Sequence, residues 1–532
     1  MTSILSNGTE EDLISTRYHK HLQTFIISLT FPDLSTVATQ DLTRISYGGQ
    51  IWELRADFLR SPNSNEASKA NLVTNQLQML RKASDLPVIF TIRTVSQGGQ
   101  FPDEAVDEAL EMILSAIDEG CEYIDVQVSW PDTMREAIVN AKRQSQLIAS
   151  IHDWTGEVKW ADDQLEQYIT AASFGDILKL SLLASRMEEC HDLVEFLRRY
   201  RKAYAKPMIA IAMGQEGQLS RMMGPISFVT HPLLPRSSAP GQLSVAQVHQ
   251  GLHIIGQLPK RKFFIFGNNI AHSLSPTIHN AAFAELGLPH DYSIFQTPQM
   301  DDKVHEILAQ PDFGGASVTF PHKLNIQPML DSLSPSATKL GAVNTVIVVE
   351  SPSGRKLRGD NTDWLGILQC IQSGHNVQCE TATVIGSGGA ARAALFALQN
   401  MGVQRVAVVN RSISNAEVVC KEFSSLNTEI YDSLTKAPAS NIIVSCIPAD
   451  DITEADIPAH VFANRPGILI EMAYRPQITA LMEVAGRLPQ WTVYGGVDVL
   501  RLQAYAQFEL WTGWRAPITV IEKALREQIA RA

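Results

Sequence analysis

The sequence predicts an α/β protein in two successive parts: a (β/α)8 barrel, then a second α/β unit built around a Rossmann βαβ. Three observations carry this. The chain has 532 residues, and a single hydrophobic core stops growing at roughly 250 to 300, so at least two domains are required. Short apolar runs alternate with helix-length stretches eight times in the first half. A strand, a glycine turn, a helix and a second strand follow one another through 380–412.

The eight runs lie at 24–30, 52–59, 87–94, 123–129, 146–154, 176–184, 207–214 and 226–233. Between most of them, apolar residues recur at spacings of three and four; Ala105, Ala109, Met112, Ile113 and Ile117, closed by Gly120, predict one amphipathic helix. The gap from Gly214 to Ile226 is short. Such alternation fits a barrel better than a doubly wound sheet, with an open α/β sheet as the alternative.

Charged side chains interrupt these apolar strands. Glu53 and Arg55 alternate in WELRADFL and so share a face; Arg93 closes VIFTIR, His152 closes LIASIH, and Lys179 sits in DILKL. Taken singly, each is equally a structural ion pair. Lys179, among Ile177, Leu178 and Leu180, is expected to lose hydration, which lowers its pKa toward the neutral nucleophile that forms Schiff bases. His152 ends the preceding strand and is expected near Lys179 at the C-terminal face, where barrels do their chemistry. A His beside an imine-forming Lys suggests proton abstraction next to a carbonyl.

Residues 244–256 offer an N-capping Ser244, apolar Val245, Val248, Leu252 and Ile255, and a terminal Gly256, which predicts the barrel's last helix. A basic joint at 258–262 precedes a new strand at 263–267, so the boundary is expected near residue 258. In 380–412, Gly386, Gly388 and Ala391 form a GxGxxA after a β run and at the opening of a helix, the context of a dinucleotide site. There the pyrophosphate meets backbone amides at a helix N-terminus. The second strand runs out through Asn410, Arg411 and Ser412, with no acid for a ribose 2′-hydroxyl and a guanidinium suited to a 2′-phosphate. NADP is therefore favoured over NAD, a solvated surface arginine being the alternative for Arg411. Four polar clusters precede this unit: IAHSLSPTIHN, SVTFPHK, GAVNT and GDNTDWLG. Ser275 before Pro276 also suits a plain helix cap.

Apolar residues make up 45% and charged residues 19%, as in ordinary globular chains. A net charge of -12 argues against nucleic acid or an anionic membrane as partner. The apolar runs are strand-sized and the start, 1–11, is polar, so neither a membrane span nor a secretory signal is read and a cytoplasmic protein is expected. The six cysteines, at 121, 190, 370, 379, 420 and 446, form no CxxC pair, which suggests buried free thiols and no metal site.

Through WELRADFL, FTIRT, SIHDWTG, DILKL, GQLSR and SSAPGQ, the segment from about Thr24 to Gln242 resembles a type I 3-dehydroquinate dehydratase. The resemblance implies that Lys179 forms an imine with the C3 ketone, while His152 removes a C2 proton and then protonates the departing C1 hydroxyl. It also implies that Arg221, Ser238 and Gln242 hold the substrate, Arg221 at its carboxylate, and that Glu53, Arg55 and Arg93 order the pocket. Gln97 stands where bacterial members place a Glu, which leaves that position open.

The four polar clusters, with GSGGAAR and NRS, make the chain from about Phe263 onward resemble the shikimate dehydrogenases. That implies a two-lobed α/β unit with a Rossmann NADP domain. Ser273, Ser275, Thr319, Asn344, Asp363 and Gln503 would bind the substrate, with Lys323 and Asp363 as catalytic pair. Gly386, Gly388, Gly389, Ala390, Ala391, Arg392, Asn410, Arg411 and Ser412 would hold NADP. The residue types suit the chemistry, because a ketone taking hydride needs a proton donor at its oxygen and a Lys held by a carboxylate provides one. Val497 and Asp498 depart from the family's Gly-Met-rich stretch, leaving the nicotinamide wall open.

The order of the two halves resembles the bifunctional dehydratase–dehydrogenases and the C-terminal part of the pentafunctional arom polypeptides. It implies the third and fourth steps of the shikimate pathway of aromatic amino acid biosynthesis, from 3-dehydroquinate through 3-dehydroshikimate to shikimate. Expected limits are an N-terminal extension at 1–20, a barrel at 21–257, a substrate domain at 262–365 completed by helices in 498–532, and an NADP domain at 366–497. Expected partners are these small molecules, without nucleic acid or membrane, and a homodimer is left open. Two competitors stand beside this reading: a non-catalytic regulator of quinate use, and an NAD-dependent quinate dehydrogenase in the second half. The presence of Lys179, His152, Lys323 and Asp363 argues against the first; Ser275 and Arg411 argue against the second.

Overall fold

The computed structural model describes residues 12–60, 69–352, 354–374, 380–473 and 475–531. The polar start at 1–11 and Cys379 lie outside the described residues. The chain divides into two compact units, Met1–Pro259 with Ala284–Pro289, and Lys260–Phe283 with His290–Ala532.

The first unit holds strands β1 (Thr24–Leu29), β2 (Ile51–Arg55), β3 (Val88–Thr91), β4 (Tyr123–Gln127), β5 (Gln146–Asp153), β6 (Ile177–Leu183), β7 (Met208–Met213) and β8 (Ile226–Val229). They pair in the order β7-β6-β5-β4-β3-β2-β1-β8, with every ladder parallel. β8 returns to pair with β1 and also approaches β7, without a ladder between those two among the described residues, so the eight strands form a near-closed barrel and not an open sheet. Most strands stop short of their apolar runs: after Arg55 the chain turns through a 3-10 segment at Ala56–Phe58, and β8 stops at Val229. Helix Val106–Asp118 buries Ala109, Met112, Ile113, Ala116 and Ile117, the face its spacing predicts, and Gly120 follows with φ +74°. Helix Val245–Ile254 opens on a capping box between Ser244 and Gln247. Ile255, expected on its apolar face, is exposed because the helix has already ended.

The second unit carries two sheets. The first contains β9 (Lys262–Gly267), β10 (Asp291–Gln296), β11 (Phe313–Val318), β12 (Ser332–Leu333), β13 (Thr345–Ser351) and β14 (Gly354–Asp360). Its order is β10-β9-β11-β13-β14-β12, with β13 antiparallel to both neighbours. The second contains β15 (Thr381–Ile385), β16 (Arg405–Val409), β17 (Asn427–Tyr431), β18 (Ile442–Ser445), β19 (Gly467–Glu471) and β20 (Trp491–Tyr494). It is all parallel, in the order β17-β16-β15-β18-β19-β20. The order reverses between β15 and β18, which opens the crevice where a dinucleotide fold binds its ligand.

Helix Asp363–Ser373 takes the chain from the first sheet to the second, and helix Gly496–Thr512 brings it back. The returning helix is tied to the first sheet: Gln507 Nε2 donates to the Asn344 carbonyl (3.1 Å) and to Thr345 Oγ1 (2.9 Å), and Trp511 Nε1 donates to the Val346 carbonyl (2.9 Å). A Cβ on Gly366 would stand 2.8 Å from the Val499 carbonyl oxygen, so glycine lets these two helices approach closely.

Candidate active sites

An open cavity of about 450 Å³ lies at the C-terminal ends of the barrel strands. Inward-facing residues of β2, β5, β6, β7 and β8 line it, because alternate side chains of each strand point to the axis, and Arg93 and Gln97 join them from beyond the end of β3. Lys179 Nζ donates to Asp125 Oδ2 (2.9 Å), stands 3.6 Å from Glu53 Oε1, and rests 4.1 Å from the centre of the Phe228 ring. Its sequence neighbours Leu178 and Leu180 face the other way, so the apolar surroundings expected for this amine are wrong. Two carboxylates enclose it instead. Arg93 Nη2 also meets Asp125 (2.8 Å), and Arg93 Nη1 donates to Ser150 Oγ (3.0 Å), which donates to Asp125 Oδ1 (2.6 Å). Burial alone would raise the Asp125 carboxyl, but Arg93 and Lys179 outweigh it and hold it at about 2. Glu53 is fixed by Ser28 (2.5 Å) and Thr91 (3.1 Å).

His152 is the last residue but one of β5, whose Ser150 is in register with Lys179. Burial, then the cations Arg93, Lys179 and Arg55, push the imidazole well below its usual range. At neutral pH it is therefore uncharged and able to accept a proton. Its Nδ1 is buried without a partner among the described residues, while its backbone N–H donates to Gln97 Oε1 (3.1 Å). Gln97, left open by the sequence, thus holds the main chain of His152. Arg55 is bidentate on Asp57 (2.8 and 2.9 Å) and contacts the Ser238 carbonyl (3.4 Å). Gln242 links Ser238 N (2.8 Å) to Ser28 Oγ (3.4 Å).

Arg221 differs from the other cavity cations. It is 3% exposed, no carboxylate reaches it among the described residues, and its Nη1 donates only to the Phe228 carbonyl (3.2 Å). Burial pushes the guanidinium down to about 10, so it remains charged at neutral pH and is the cation with a charge left to offer an anion. Asp125 and Asp57 were not singled out from the sequence, although the rule that flagged Lys179, a charge inside an apolar strand, also flags Asp125 in YIDVQVS.

In the second unit, Lys323 Nζ pairs with Asp363 Oδ2 (2.5 Å), the first residue of its helix. Asn344 Nδ2 donates to Asp363 Oδ1 (2.9 Å), Thr362 Oγ1 (3.0 Å) and Gln503 Oε1 (3.1 Å), which gathers Lys323, Asp363, Asn344 and Gln503 into one cluster. Thr362, missed in the sequence though it lies inside GDNTDWLG, donates from Oγ1 to Gln503 (2.9 Å) and from its backbone to Asn344 Oδ1 (2.8 Å). Ser273, Ser275 and Thr319 are not bonded to this cluster among the described residues. Ser275 does not cap its helix; it is the first residue of Ser275–Glu285, and its N–H donates to Ser273 Oγ (3.3 Å). It reaches the cluster through Tyr292, Ser317 and Gln507. Thr319 starts the turn after β11, its N–H on the Phe266 carbonyl (2.9 Å).

The glycine turn joins β15 to helix Gly389–Asn400. Gly386 has φ +114°, and a Cβ built on Gly388 or Gly389 meets nothing within 4 Å, so the amides at this helix start lie under open space. That cradle, with Ala391 buried against the sheet, fits a dinucleotide pyrophosphate. Arg392 meets Glu422 in a two-point contact, one at 2.9 Å. Arg411 is 85% exposed and pairs with Asp451 (2.9 Å). Asn410 Nδ2 donates to the Ser412 carbonyl (2.8 Å), and Ser412 caps helix Ile413–Glu422.

Comparison with known proteins gives matches along nearly the whole chain. The family model for type I 3-dehydroquinase matches residues 25–259. The shikimate dehydrogenase substrate binding domain matches 265–346, shikimate / quinate 5-dehydrogenase 369–479, and the shikimate 5′-dehydrogenase C-terminal domain 496–526. The pentafunctional AROM polypeptides of Mycosarcoma maydis and Malassezia globosa are 38% and 40% identical over 94% of this chain. The chain spans about a third (32%) of the length of these curated relatives. A solved structure, the dehydroquinate dehydratase and shikimate dehydrogenase from S. pombe AroM, is 36% identical over 96% of this chain and 99% of that one, with a TM-score of 0.77.

Proposed function

The chain belongs to the family of joined type I dehydroquinate dehydratases and shikimate dehydrogenases, and from that premise we propose that it turns 3-dehydroquinate into shikimate in two steps, one in each unit. The barrel dehydrates 3-dehydroquinate to 3-dehydroshikimate. Lys179 attacks the C3 ketone and, with loss of water, forms an imine whose positive charge lies between Asp125 and Glu53. Neutral His152 takes a proton from C2, then returns it to the C1 hydroxyl, which leaves as water. Hydrolysis releases the product and restores Lys179. Arg221 receives the substrate carboxylate.

The second unit reduces 3-dehydroshikimate. NADPH, when bound, supplies the hydride. Lys323 gives a proton to the carbonyl oxygen, and Asp363 orients Lys323 and accepts a substrate hydroxyl. Asn344, Thr362 and Gln503 hold Asp363 in place and face further hydroxyls. The amides of Gly388 and Gly389 receive the pyrophosphate, and Arg411 the 2′-phosphate. The setting proposed is the cytoplasm, with small molecules as partners.

The observation that carries this reading is a lysine held between two buried carboxylates, one strand from a neutral histidine, in a near-closed parallel barrel. The test is a coupled assay: 3-dehydroquinate and NADPH are added together, and enone absorbance and NADPH loss are followed. Both signals are expected. Silence in both channels would leave a binding protein that regulates quinate use.

Arg411→Ala is expected to weaken NADPH roughly ten- to a hundredfold, since a charge-assisted contact contributes about 1.5 to 3 kcal/mol. The phosphate must displace Asp451 from an exposed arginine, which places the loss toward the lower end. NADH binding stays nearly unchanged; equal loss for both cofactors, measured by titration, would make Arg411 structural.

A further inference from the structure

Most polar groups that face the barrel cavity are already engaged. Ser28 is committed to Glu53, Ser150 to Asp125, and Gln242 to Ser238. The buried hydroxyl of Ser181 is not. It lines the cavity, is 1% exposed, and its Oγ has no hydrogen-bond partner among the described residues. A hydroxyl buried this way is destabilising in the free enzyme unless something that enters the cavity completes it.

Its position says what would. Ser181 is two residues beyond Lys179 on β6, so both side chains point to the barrel axis, with Ser181 nearer the mouth. Across the β5–β6 ladder its register partner is His152. Parallel partners present side chains on the same face, so Ser181 Oγ looks into the cavity beside the imidazole. On the barrel reading above, on which this step rests, His152 serves the C2 proton and the C1 hydroxyl of a substrate anchored at C3 by Lys179. The group beside His152 therefore meets the same edge of the substrate ring.

We infer that Ser181 is a further catalytic residue, whose hydroxyl donates a hydrogen bond to the C1 oxygen as that oxygen leaves. The C1–O bond breaks, the oxygen takes the proton carried by His152, and water departs; Ser181 keeps its own proton throughout. Its contact strengthens as negative charge grows on the leaving oxygen, so it acts on turnover more than on binding. In the reverse direction the same hydroxyl seats the attacking water.

Ser181→Ala is expected to slow dehydration about tenfold at saturating 3-dehydroquinate, with KM within about twofold of wild type. Borohydride trapping at Lys179 stays undiminished, because imine formation precedes the step that Ser181 serves. Loss of an unpartnered buried hydroxyl leaves the unfolding temperature unchanged or slightly higher, and Ser181→Thr, which keeps a hydroxyl, retains most of the turnover. Wild-type turnover in Ser181→Ala, or a loss that follows a fall in unfolding temperature, overturns the assignment. Wild-type protein treated in parallel separates the two levels: no borohydride label at its Lys179 removes the barrel mechanism itself, and Ser181's part with it.

Discussion

Lys179→Ala is expected to lower dehydratase turnover by roughly 10⁴- to 10⁶-fold, because the variant lacks the atom that bonds to the substrate and not merely a contact. The size of the loss separates this role from that of a structural ion-pair partner. Breaking a buried pair costs about 3 to 5 kcal/mol of stability, and Glu53 and Asp125 are left with less positive charge around them. Arg93 still holds Asp125 at 2.8 Å, so the variant is expected to fold. NADPH-dependent reduction of 3-dehydroshikimate by the same protein checks this directly, since Lys323 and Asp363 belong to the other unit. In wild type, borohydride with 3-dehydroquinate should add the substrate mass at Lys179. A label on another lysine, or none, refutes the imine.

Lys323→Ala should reduce shikimate dehydrogenase turnover by about 10² to 10⁴, the range for losing a general acid, with a smaller change in KM. Asp363→Ala should harm both constants. It removes the carboxylate that pairs with Lys323 and the acceptor for Asn344, so orientation of the acid and seating of the substrate suffer together. Initial-rate kinetics with 3-dehydroshikimate varied at saturating NADPH decide the matter. Normal turnover with only a raised KM in Lys323→Ala would leave Lys323 as a binding residue, and the proton would come from ordered water or from Asp363. Dehydratase activity persists in both variants, which guards against misfolding as the cause.

How much of this the sequence disclosed follows from the range over which each signal acts. Strand and helix periods are local, so the barrel and the dinucleotide βαβ are legible, and a charge inside an apolar strand announces a working face. What surrounds that charge is not local. Lys179 looked apolar because Ile177, Leu178 and Leu180 are its chain neighbours, but closure of the ring brings it to Glu53 on β2 and Asp125 on β4. The engagement of Arg411 by Asp451 and of Arg392 by Glu422 was invisible for the same reason, each partner arriving from a separate loop or helix. Thr362 was missed inside a motif already quoted, because a threonine's use depends on which hydroxyl or amide it faces. A plain helix cap was the alternative to substrate binding for Ser275, since Ser-Pro is a common start, whereas the fold places it one position inside the helix, buried and linked to Tyr292.

The returning helix Gly496–Thr512 has a consequence for the order of events during synthesis. The strands that carry Asn344 and Thr345 leave the ribosome well before Gln503, Gln507 and Trp511, which lie beyond the whole parallel sheet of the second unit. Until that helix emerges, Thr345 Oγ1 and the Val346 carbonyl lack the donors that later meet them, and Asn344 lacks the glutamine that positions it. The barrel can reach its native form while the rest is still being made, because all eight of its strands come first. The pocket around Asn344 is thus completed after the barrel, and a nascent chain halted at β20 carries all eight barrel strands but still lacks Gln503, Gln507 and Trp511.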